Sequence, residues 1–416
     1  MCTSRCQSAP PFRRIALTFV CVNQGGYTID RHYPMIKSLR IGFDGRALIS
    51  SAGGVRRYTR ALFGAIAAMA DGPEVIAIGS PGGLSLPLNV VAGPAPSGIP
   101  TNLGWTLWSI PVGSRSAALD VYHAPAYTCP WWGVPPTVVT IHDCSYERCP
   151  EWYPHRRDRF RRLFYRYSAV MADSIITDSE FSKREISSAY DIEPDRIVVI
   201  PLAATNCFTP ATTESSPVNG VEPYVLHVGD LHPRRDVSMA LNVVARVRQL
   251  SGGENLRLVI VGVDRGHRSV LDRVAAAAGV SHAVEYYENV SDEKLVGFYR
   301  GATALVYTSR YEGFGLPLVE AMACGTAVLA TDNGPTGEVV GDAAELVEPR
   351  DETGLADALY RLVVDQAHRE HCARAGLSRA ARFSWERAAQ QTVNVYKNLH
   401  GTRSQEGPST LSTTIS

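Results

Sequence analysis

The feature that most constrains the fold is an alternation, from about Leu39 onward, of short apolar runs with segments of helical periodicity. Most runs are continuously apolar, as in parallel strands that are covered on both faces. In the first half the predicted strands are Arg40–Phe43, Val75–Ile78, Val121–His123, Val138–Ile141, Ser174–Thr177 and Ile197–Ile200. In the second half they are Tyr224–Val228, Arg257–Val261, Val284–Tyr287, Ala304–Tyr307 and Ala327–Ala330. The alternation predicts doubly wound α/β architecture.

A Pro-, Ser- and Thr-rich stretch interrupts the alternation once, and 416 residues are too many for one ordinary core. We therefore predict two doubly wound Rossmann-like domains that face each other across a cleft. A terminal helix follows the second domain, and the two chain ends are expected to be disordered. The predicted segments are an extension (1–36), a first domain (37–208), a linker (209–223), a second domain (224–384), the helix (385–400) and a tail (401–416).

Composition excludes several classes of protein. The formal net charge is zero, whereas proteins that bind nucleic acid usually carry a clear basic excess. No apolar run approaches the length of a membrane-spanning helix. The nine cysteines include no Cys-x-x-Cys motif, and we found none paired with a histidine at metal-ligand spacing. We therefore expect no metal site, and reduced thiols in a cytoplasmic protein.

The stretch from Ser309 to Gly325 carries the strongest chemical signal. Glu312 and Glu320 bracket a glycine-containing loop, and Pro317 marks the start of a short helix. Glycines let the backbone approach a ligand closely, and free amides at a helix start favour an anion. The stretch therefore predicts a ligand-binding loop with two carboxylates, which includes Gly313, Phe314, Gly315 and Leu316.

Two loops of the first half also follow predicted strands. Gly53 and Gly54 lie between the first strand and a helix predicted to start near Arg56, where glycines allow close approach to phosphates. His142 and Asp143 end the strand Val138–Ile141 and point to the predicted cleft. A lone histidine at a strand end is more often structural than catalytic, and Asp143 has the alternative role of capping a turn.

Arg234 and Arg235 follow the strand Tyr224–Val228 in the second half. A pair of arginines in a loop is by itself an ordinary solvated charge. Their place after a strand, beside the other loops, favours binding of an anionic group such as a phosphate.

With these motifs the sequence resembles glycosyltransferase family 4, the nucleotide-sugar-dependent retaining transferases of the GT-B fold. The family signature is two glutamates separated by seven residues around Phe-Gly-Leu-Pro, which Glu312 and Glu320 match. The resemblance covers roughly Leu39 to Tyr396. It also runs through residues 53–58, 141–143, 179–183, 233–235 and 383–386, in family order.

The resemblance implies roles for individual residues. Those that would bind the nucleotide-sugar donor are Gly53, Gly54, Asp143, Arg234, Arg235, Gly313, Phe314, Gly315, Leu316 and Glu320. His142 and Glu312 would lie at the reacting sugar as the candidate catalytic residues, and Glu320 would accept hydrogen bonds from the ribose hydroxyls. Arg235 stands where most relatives have lysine, a change that keeps the charge but not the geometry. Retention in this family is explained without a protein nucleophile, and no metal or other cofactor is implied beyond the nucleotide-sugar co-substrate.

The implied function is transfer of a hexose, with mannose as the first guess, to a saccharide or lipid-linked acceptor in polysaccharide assembly. The alternatives are a nucleotide-sugar 2-epimerase of the same fold and a catalytically degenerate nucleotide-binding scaffold. The arginine-rich segment 155–166 allows peripheral association with the inner face of a membrane, although such a run is more often one solvated helix face.

Overall fold

The computed structural model describes residues 38–79, 85–94, 101–153, 156–211 and 222–405. The predicted extension (1–36), most of the predicted linker and the end of the predicted tail lie outside the described residues. Within them, every strand belongs to one of two parallel sheets.

The first sheet has seven strands in the order β3-β2-β1-β4-β5-β6-β7. These are β1 (Arg40–Asp44), β2 (Glu74–Ile78), β3 (Val91–Ala92), β4 (Val121–Ala124), β5 (Thr137–Thr140), β6 (Ser174–Thr177) and β7 (Ile197–Val199). Its helices are α1 (Gly53–Ala67), α2 (Asn102–Gly104), α3 (Ile110–Ser116), α4 (Ser145–Arg148), α5 (Arg156–Met171) and α6 (Glu180–Tyr190). In the register of the sheet, Ile41 lies beside Val75 on one side and Val121 on the other.

The second sheet has six strands in the order β10-β9-β8-β11-β12-β13. These are β8 (Tyr224–Val228), β9 (Arg257–Val261), β10 (Val284–Tyr287), β11 (Ala304–Tyr307), β12 (Ala327–Thr331) and β13 (Glu345–Val347). The helices are α7 (Val237–Val247), α8 (Arg268–Ala277), α9 (Asp292–Gly301), α10 (Leu316–Ala323), α11 (Thr336–Val340), α12 (Glu352–Val364), α13 (Gln366–Ala380) and α14 (Trp385–Gln405). Val225 of β8 lies beside Leu258 of β9 and Ala304 of β11.

Both sheets are doubly wound, because the strand order reverses beside the first strand of each. Every residue of β4, β5, β6, β8, β11 and β12 is buried, as their continuous apolar sequences predict. The prediction of two doubly wound parallel domains is therefore confirmed. Ligands of such sheets bind where the strand order reverses, outside the carboxyl ends of the strands.

The last helix, α14, returns to the first domain and packs against α1 and β4. The hydroxyl of Tyr396 lies 2.6 Å from Nδ1 of buried His123 in β4. The helix runs to Gln405, past the expected end at residue 400. None of the described helices combines the length and apolar character needed to cross a membrane.

Candidate active site

The loop between β11 and α10 touches the first domain. Gly315, with φ of +102°, is the residue before α10. A Cβ added to Gly313 would lie 1.7 Å from the carbonyl oxygen of His142, so the two backbones meet where only glycine fits. The carbonyl of Gly313 also accepts hydrogen bonds from the hydroxyls of Ser179 (2.6 Å) and Ser182 (3.0 Å). The loop is therefore fixed against the His142 backbone.

Glu312, in this loop, forms an ion pair with Arg235. Arg235 belongs to a 3₁₀ turn that follows β8. Its Nη1 lies 2.5 Å from Oε1 of Glu312 and donates a hydrogen bond to the Tyr307 hydroxyl at 3.0 Å. Because β8 and β11 are adjacent, this pair lies at the reversal point of the second sheet. Ligands of such sheets bind at this point, which is where the sequence predicted that Glu312 and Arg235 would contact the donor. That role stays a prediction.

Arg234 reaches across to the first domain. Its Nη1 lies 3.0 Å from Oδ2 of Asp143, and its carbonyl accepts a hydrogen bond from the amide of Arg310 at 2.7 Å. Burial alone would lower the pKa of Arg234, but the charges of Glu312 and Asp143 raise it well above its usual value. Arg234 is therefore a permanent cation between the domains.

Asp143 caps a turn, the alternative role considered for it, and its donor-binding role stays a prediction. Besides the ion pair with Arg234, its Oδ1 accepts hydrogen bonds from the amide (2.9 Å) and hydroxyl (2.7 Å) of Ser145 at the start of α4. Burial would raise the pKa of Asp143, but Arg234 and these hydrogen bonds outweigh it and hold the pKa below its usual value. Asp143 is thus an anion that joins a helix start to the second domain.

His142 is held by a buried carboxylate. Its Nδ1 lies 2.7 Å from Oδ2 of Asp178, and its Nε2 lies 3.2 Å from the carbonyl oxygen of Pro125. Burial would lower the pKa of His142, but Asp178 raises it above the usual value. Burial raises the pKa of Asp178, and the charge and hydrogen bond of His142 partly offset this. His142 and Asp178 therefore form a buried hydrogen-bonded pair at the site.

A cavity of about 460 Å³ adjoins these loops. Ser309, Arg310 and Arg350 line it from the second domain, and Trp152 lines it from the first. The guanidinium carbon of Arg310 lies 5.6 Å from the ring centroid of Trp152. Glu151 and Asp236 also line this space, whereas none of the site residues predicted from the sequence does.

Comparison with known proteins decides the family. Residues 52–203 match the description "Glycosyltransferase Family 4", and residues 209–379 match "Glycosyl transferases group 1". The O-antigen chain mannosyltransferase B of Escherichia coli is 32% identical over 285 residues, which are 67% of this chain and 74% of that protein. The chain belongs to glycosyltransferase family 4. The resemblance drawn from the motifs is confirmed, and the protein is a transferase enzyme.

Two further comparisons cover most of the chain. A D-inositol 3-phosphate glycosyltransferase of Corynebacterium urealyticum is 28% identical over 387 residues, which are 85% of this chain and 87% of that protein. A solved sucrose-phosphate synthase from Thermosynechococcus elongatus superposes with a TM-score of 0.71 at 21% identity, covering 88% of this chain and 100% of that one. The predicted GT-B fold is confirmed.

Glu320, the second glutamate of the family 4 signature, is fully buried in α10. Its Oε1 accepts a hydrogen bond from Nη1 of Arg57 at 2.7 Å, and its Oε2 accepts one from the Tyr299 hydroxyl at 2.9 Å. Arg57, from α1, also pairs with Asp292 at 2.9 Å. Burial raises the pKa of Glu320, and Arg57 and Tyr299 partly offset this. A ribose at Glu320 must therefore share or displace Arg57, so the ribose role stays a prediction.

Gly53 and Gly54 lie in the first turn of α1, so their predicted place in a loop before a helix at Arg56 is wrong. Neither has a positive φ, and a Cβ added to either would meet no atom within 4 Å. The helix starts earlier because Ala52, in extended conformation, already serves as its N-cap. The exposed amides of this turn are the groups that remain suited to phosphate.

The side chains of Phe314 and Leu316, two of the predicted donor-binding residues, point into the core. Phe314 is 4% exposed and packs edge-on against Phe383, with ring centroids 5.7 Å apart. Leu316 is partly buried and also packs against the core. Their side chains therefore fill the core of the second domain, and any contact of this loop with a donor involves main-chain atoms.

Three residues that the motif analysis did not assign belong to the site. Asp178 follows β6, the neighbour of the strand before His142, and that adjacency is a signal that could have identified it. Tyr307, the last residue of β11, holds Arg235, and Arg57 holds Glu320. No local pattern predicts these last two contacts, because each joins segments far apart in the chain.

Proposed function

We propose that this family 4 enzyme transfers a hexose, with mannose as the expected sugar, from a nucleotide-sugar to a saccharide or lipid-linked acceptor in polysaccharide or glycoconjugate biosynthesis. The observation that carries the proposal is the placement of Arg234 and Arg235 after β8, paired with Asp143 and Glu312. The similarity to an O-antigen chain mannosyltransferase supports mannose as the sugar, and we propose GDP-mannose as the donor.

The two arginines suit the leaving diphosphate. As the bond between the sugar C1 and the phosphate oxygen breaks, negative charge accumulates on that oxygen. Arg234 and Arg235 are each neutralised by one carboxylate, and each guanidinium has further N–H groups that can turn to a phosphate. Because both are fixed by ion pairs before a ligand arrives, little reorganisation is needed in the reaction.

We propose transfer with retention and without a covalent glycosyl-enzyme. The acceptor hydroxyl attacks C1 on the face that the phosphate leaves, and the departing phosphate takes the proton of that hydroxyl. Glu312 is tied to Arg235 at 2.5 Å, which suits it to orienting a cation and a sugar hydroxyl. His142, positioned by its contact with Asp178, would lie beside the donor sugar and orient it.

We propose that the reaction needs no metal, because further N–H groups of Arg234 and Arg235, together with helix amides, can hold the leaving diphosphate. A nucleotide-sugar 2-epimerase and a degenerate scaffold remain the competing functions. A thermal-shift panel of GDP-, UDP-, ADP- and dTDP-sugars, followed by product analysis with GDP-mannose, separates the three. We expect GDP-mannose to raise the melting temperature most and to be consumed with release of GDP; an epimerised donor, or binding without turnover, contradicts the proposal.

We also propose that the enzyme binds peripherally at the cytoplasmic face of a membrane. The outer face of α5 exposes an apolar stripe at Phe160, Leu163, Tyr167 and Met171. Arg159, Arg161 and Arg166 are exposed on the same helix. A contiguous aromatic group, Trp108, Trp131 and Trp132, adjoins it through Phe164. Apolar and aromatic side chains flanked by arginines match an anionic lipid surface.

Flotation with vesicles tests this surface. We expect binding to vesicles that contain anionic lipid and loss of binding in Leu163→Glu, with turnover on a soluble acceptor unchanged. The exposed Leu250→Glu, in the second domain, is the matched control. Equal flotation of the wild type and Leu163→Glu would leave α5 as an ordinary solvated helix.

A further inference from the structure

A cluster of metal-ligating side chains lies at the outer edge of the second sheet, where β13 is the edge strand. Glu345 projects from β13, and His368 and Cys372 project from α13. One ligand atom from each residue lies within 4.8 Å of the other two. The tertiary structure brings Glu345 close to the other two residues. His368 and Cys372 are one helical turn apart, a spacing that the sequence interpretation overlooked.

The distances are close to those of a tetrahedral zinc site. Nε2 of His368 lies 3.7 Å from Sγ of Cys372 and 2.7 Å from Oε1 of Glu345. Zinc bonds of about 2.0–2.3 Å at tetrahedral angles place ligand atoms roughly 3.3–3.5 Å apart. The Cys–His separation is already near this value. A small rotation of Glu345 would exchange its hydrogen bond to His368 for a metal bond.

The chemistry of the three ligands also suits zinc. A thiolate and an imidazole select zinc over magnesium or calcium, and a carboxylate completes a mixed set. Oε2 of Glu345 lies 3.6 Å from Nη2 of Arg361 in α12, so the oxygen that faces away from the cluster has a cationic neighbour. Such outer contacts orient metal-binding carboxylates. His368 and Glu345 are 24% and 20% exposed, which leaves room for water as the fourth ligand.

We propose that Glu345, His368 and Cys372 bind a zinc ion that fastens α13 to the edge strand of the second sheet. The site is structural and separate from the proposed catalysis. Helix α13 packs on α10, where a Cβ on Gly376 would lie 3.2 Å from the Met322 side chain. Zinc at this edge therefore stabilises α13, which packs against α10, the helix that carries Glu320.

Cobalt is the probe that reports the thiolate directly. The full chain, without an affinity tag and with a phosphine reductant, is stripped of metal and titrated with Co²⁺. We expect saturation at one equivalent, a near-ultraviolet sulfur-to-cobalt charge-transfer band, visible bands of tetrahedral intensity, and loss of all of them when Zn²⁺ is added. Zn²⁺ should also raise the melting temperature.

Variants identify the ligands. Cys372→Ala should abolish the charge-transfer band, and His368→Gln should weaken Zn²⁺ binding by at least about 100-fold, the upper range for loss of an outer-shell contact. The matched controls are His371→Gln, exposed on the same helix, and Cys207→Ala, an exposed thiol elsewhere. Both should keep the spectrum and the Zn²⁺-dependent melting shift.

Two results would overturn the proposal: no charge-transfer band at stoichiometric Co²⁺, or a band that survives in Cys372→Ala. If Cys372→Ala does not fold, as judged by circular dichroism, Cys372→Ser in the metal-free form takes its place. The readouts do not involve turnover, so failure here leaves the proposed transferase function untouched.

Discussion

Arg235→Ala is expected to damage both stability and turnover, for separable reasons. The side chains of Arg235 and Glu312 are only 12% and 9% exposed. Removing one partner of a fully buried pair typically costs about 3–5 kcal/mol, and the residual exposure leads us to expect roughly 2–4 kcal/mol in the free energy of unfolding. Loss of a transition-state charge contact should lower kcat on the order of 100- to 1,000-fold.

A double variant separates the two effects. In Arg235→Ala/Glu312→Gln no buried charge is left unpaired, so most of the lost stability should return in urea denaturation, while kcat stays low. Arg235→Lys should keep much of the turnover, because lysine retains the charge. Arg374→Ala, which removes an exposed pair with Glu370, is the control and should cost no more than about 1 kcal/mol. Recovery of kcat in the double variant would refute a role for Arg235 at the leaving group.

Four further outcomes are expected. His142→Ala should lower kcat more than nucleotide affinity; unchanged kcat would make the histidine structural. The pKa of His142 is raised in the folded protein, so its pairing with Asp178 stabilises the protein fully below about pH 6.5. This contribution is lost as pH rises through the folded pKa. In urea denaturation, the difference in unfolding free energy between wild type and Asp178→Asn should therefore shrink on the alkaline side, and a growing difference contradicts the assignment. Glu320→Ala should weaken nucleotide binding measured by calorimetry, and Arg57→Ala should not, if ribose displaces the arginine. Gly313→Ala should lower the melting temperature, because its methyl group meets the backbone at 1.7 Å; an unchanged melting temperature would show that the domain contact is loose.

The sequence predicted the interior of both sheets well. Ser174–Thr177, Tyr224–Val228 and Ala304–Tyr307 were predicted to the residue, because strands buried on both faces are continuously apolar. The edge strands Val91–Ala92 and Glu345–Val347 were missed. They have two and three residues, and neither is fully buried, so no apolar run marks them.

The sequence predicted which loops carry the site residues, but it did not predict which side chains contact one another. Strand ends placed Arg235, Glu312 and His142 correctly at the carboxyl edges of the sheets. The partner of each cation depends on tertiary structure, within one domain for Arg235 and Glu312 and across the two domains for Arg57 and Glu320, which are separated by 263 positions. Local sequence carries no signal for such pairs.

The effect of a chelator on turnover must be measured in a protein that lacks the proposed zinc site. In Cys372→Ala, turnover should be insensitive to a chelator, because the proposed reaction uses arginines and amides. Turnover that a chelator abolishes and manganese restores in this variant would contradict the metal-free mechanism.

The central claim, that the arginines after β8 hold the diphosphate of a donor, has a direct test that needs no acceptor. It compares, by calorimetry, the affinities of the best-binding nucleoside diphosphate and its monophosphate, in wild type and in Arg235→Ala. We predict that the diphosphate binds wild type at least about tenfold more tightly, equivalent to one charged hydrogen bond, and that the difference disappears in Arg235→Ala. An equal preference for the diphosphate in both proteins would contradict the account.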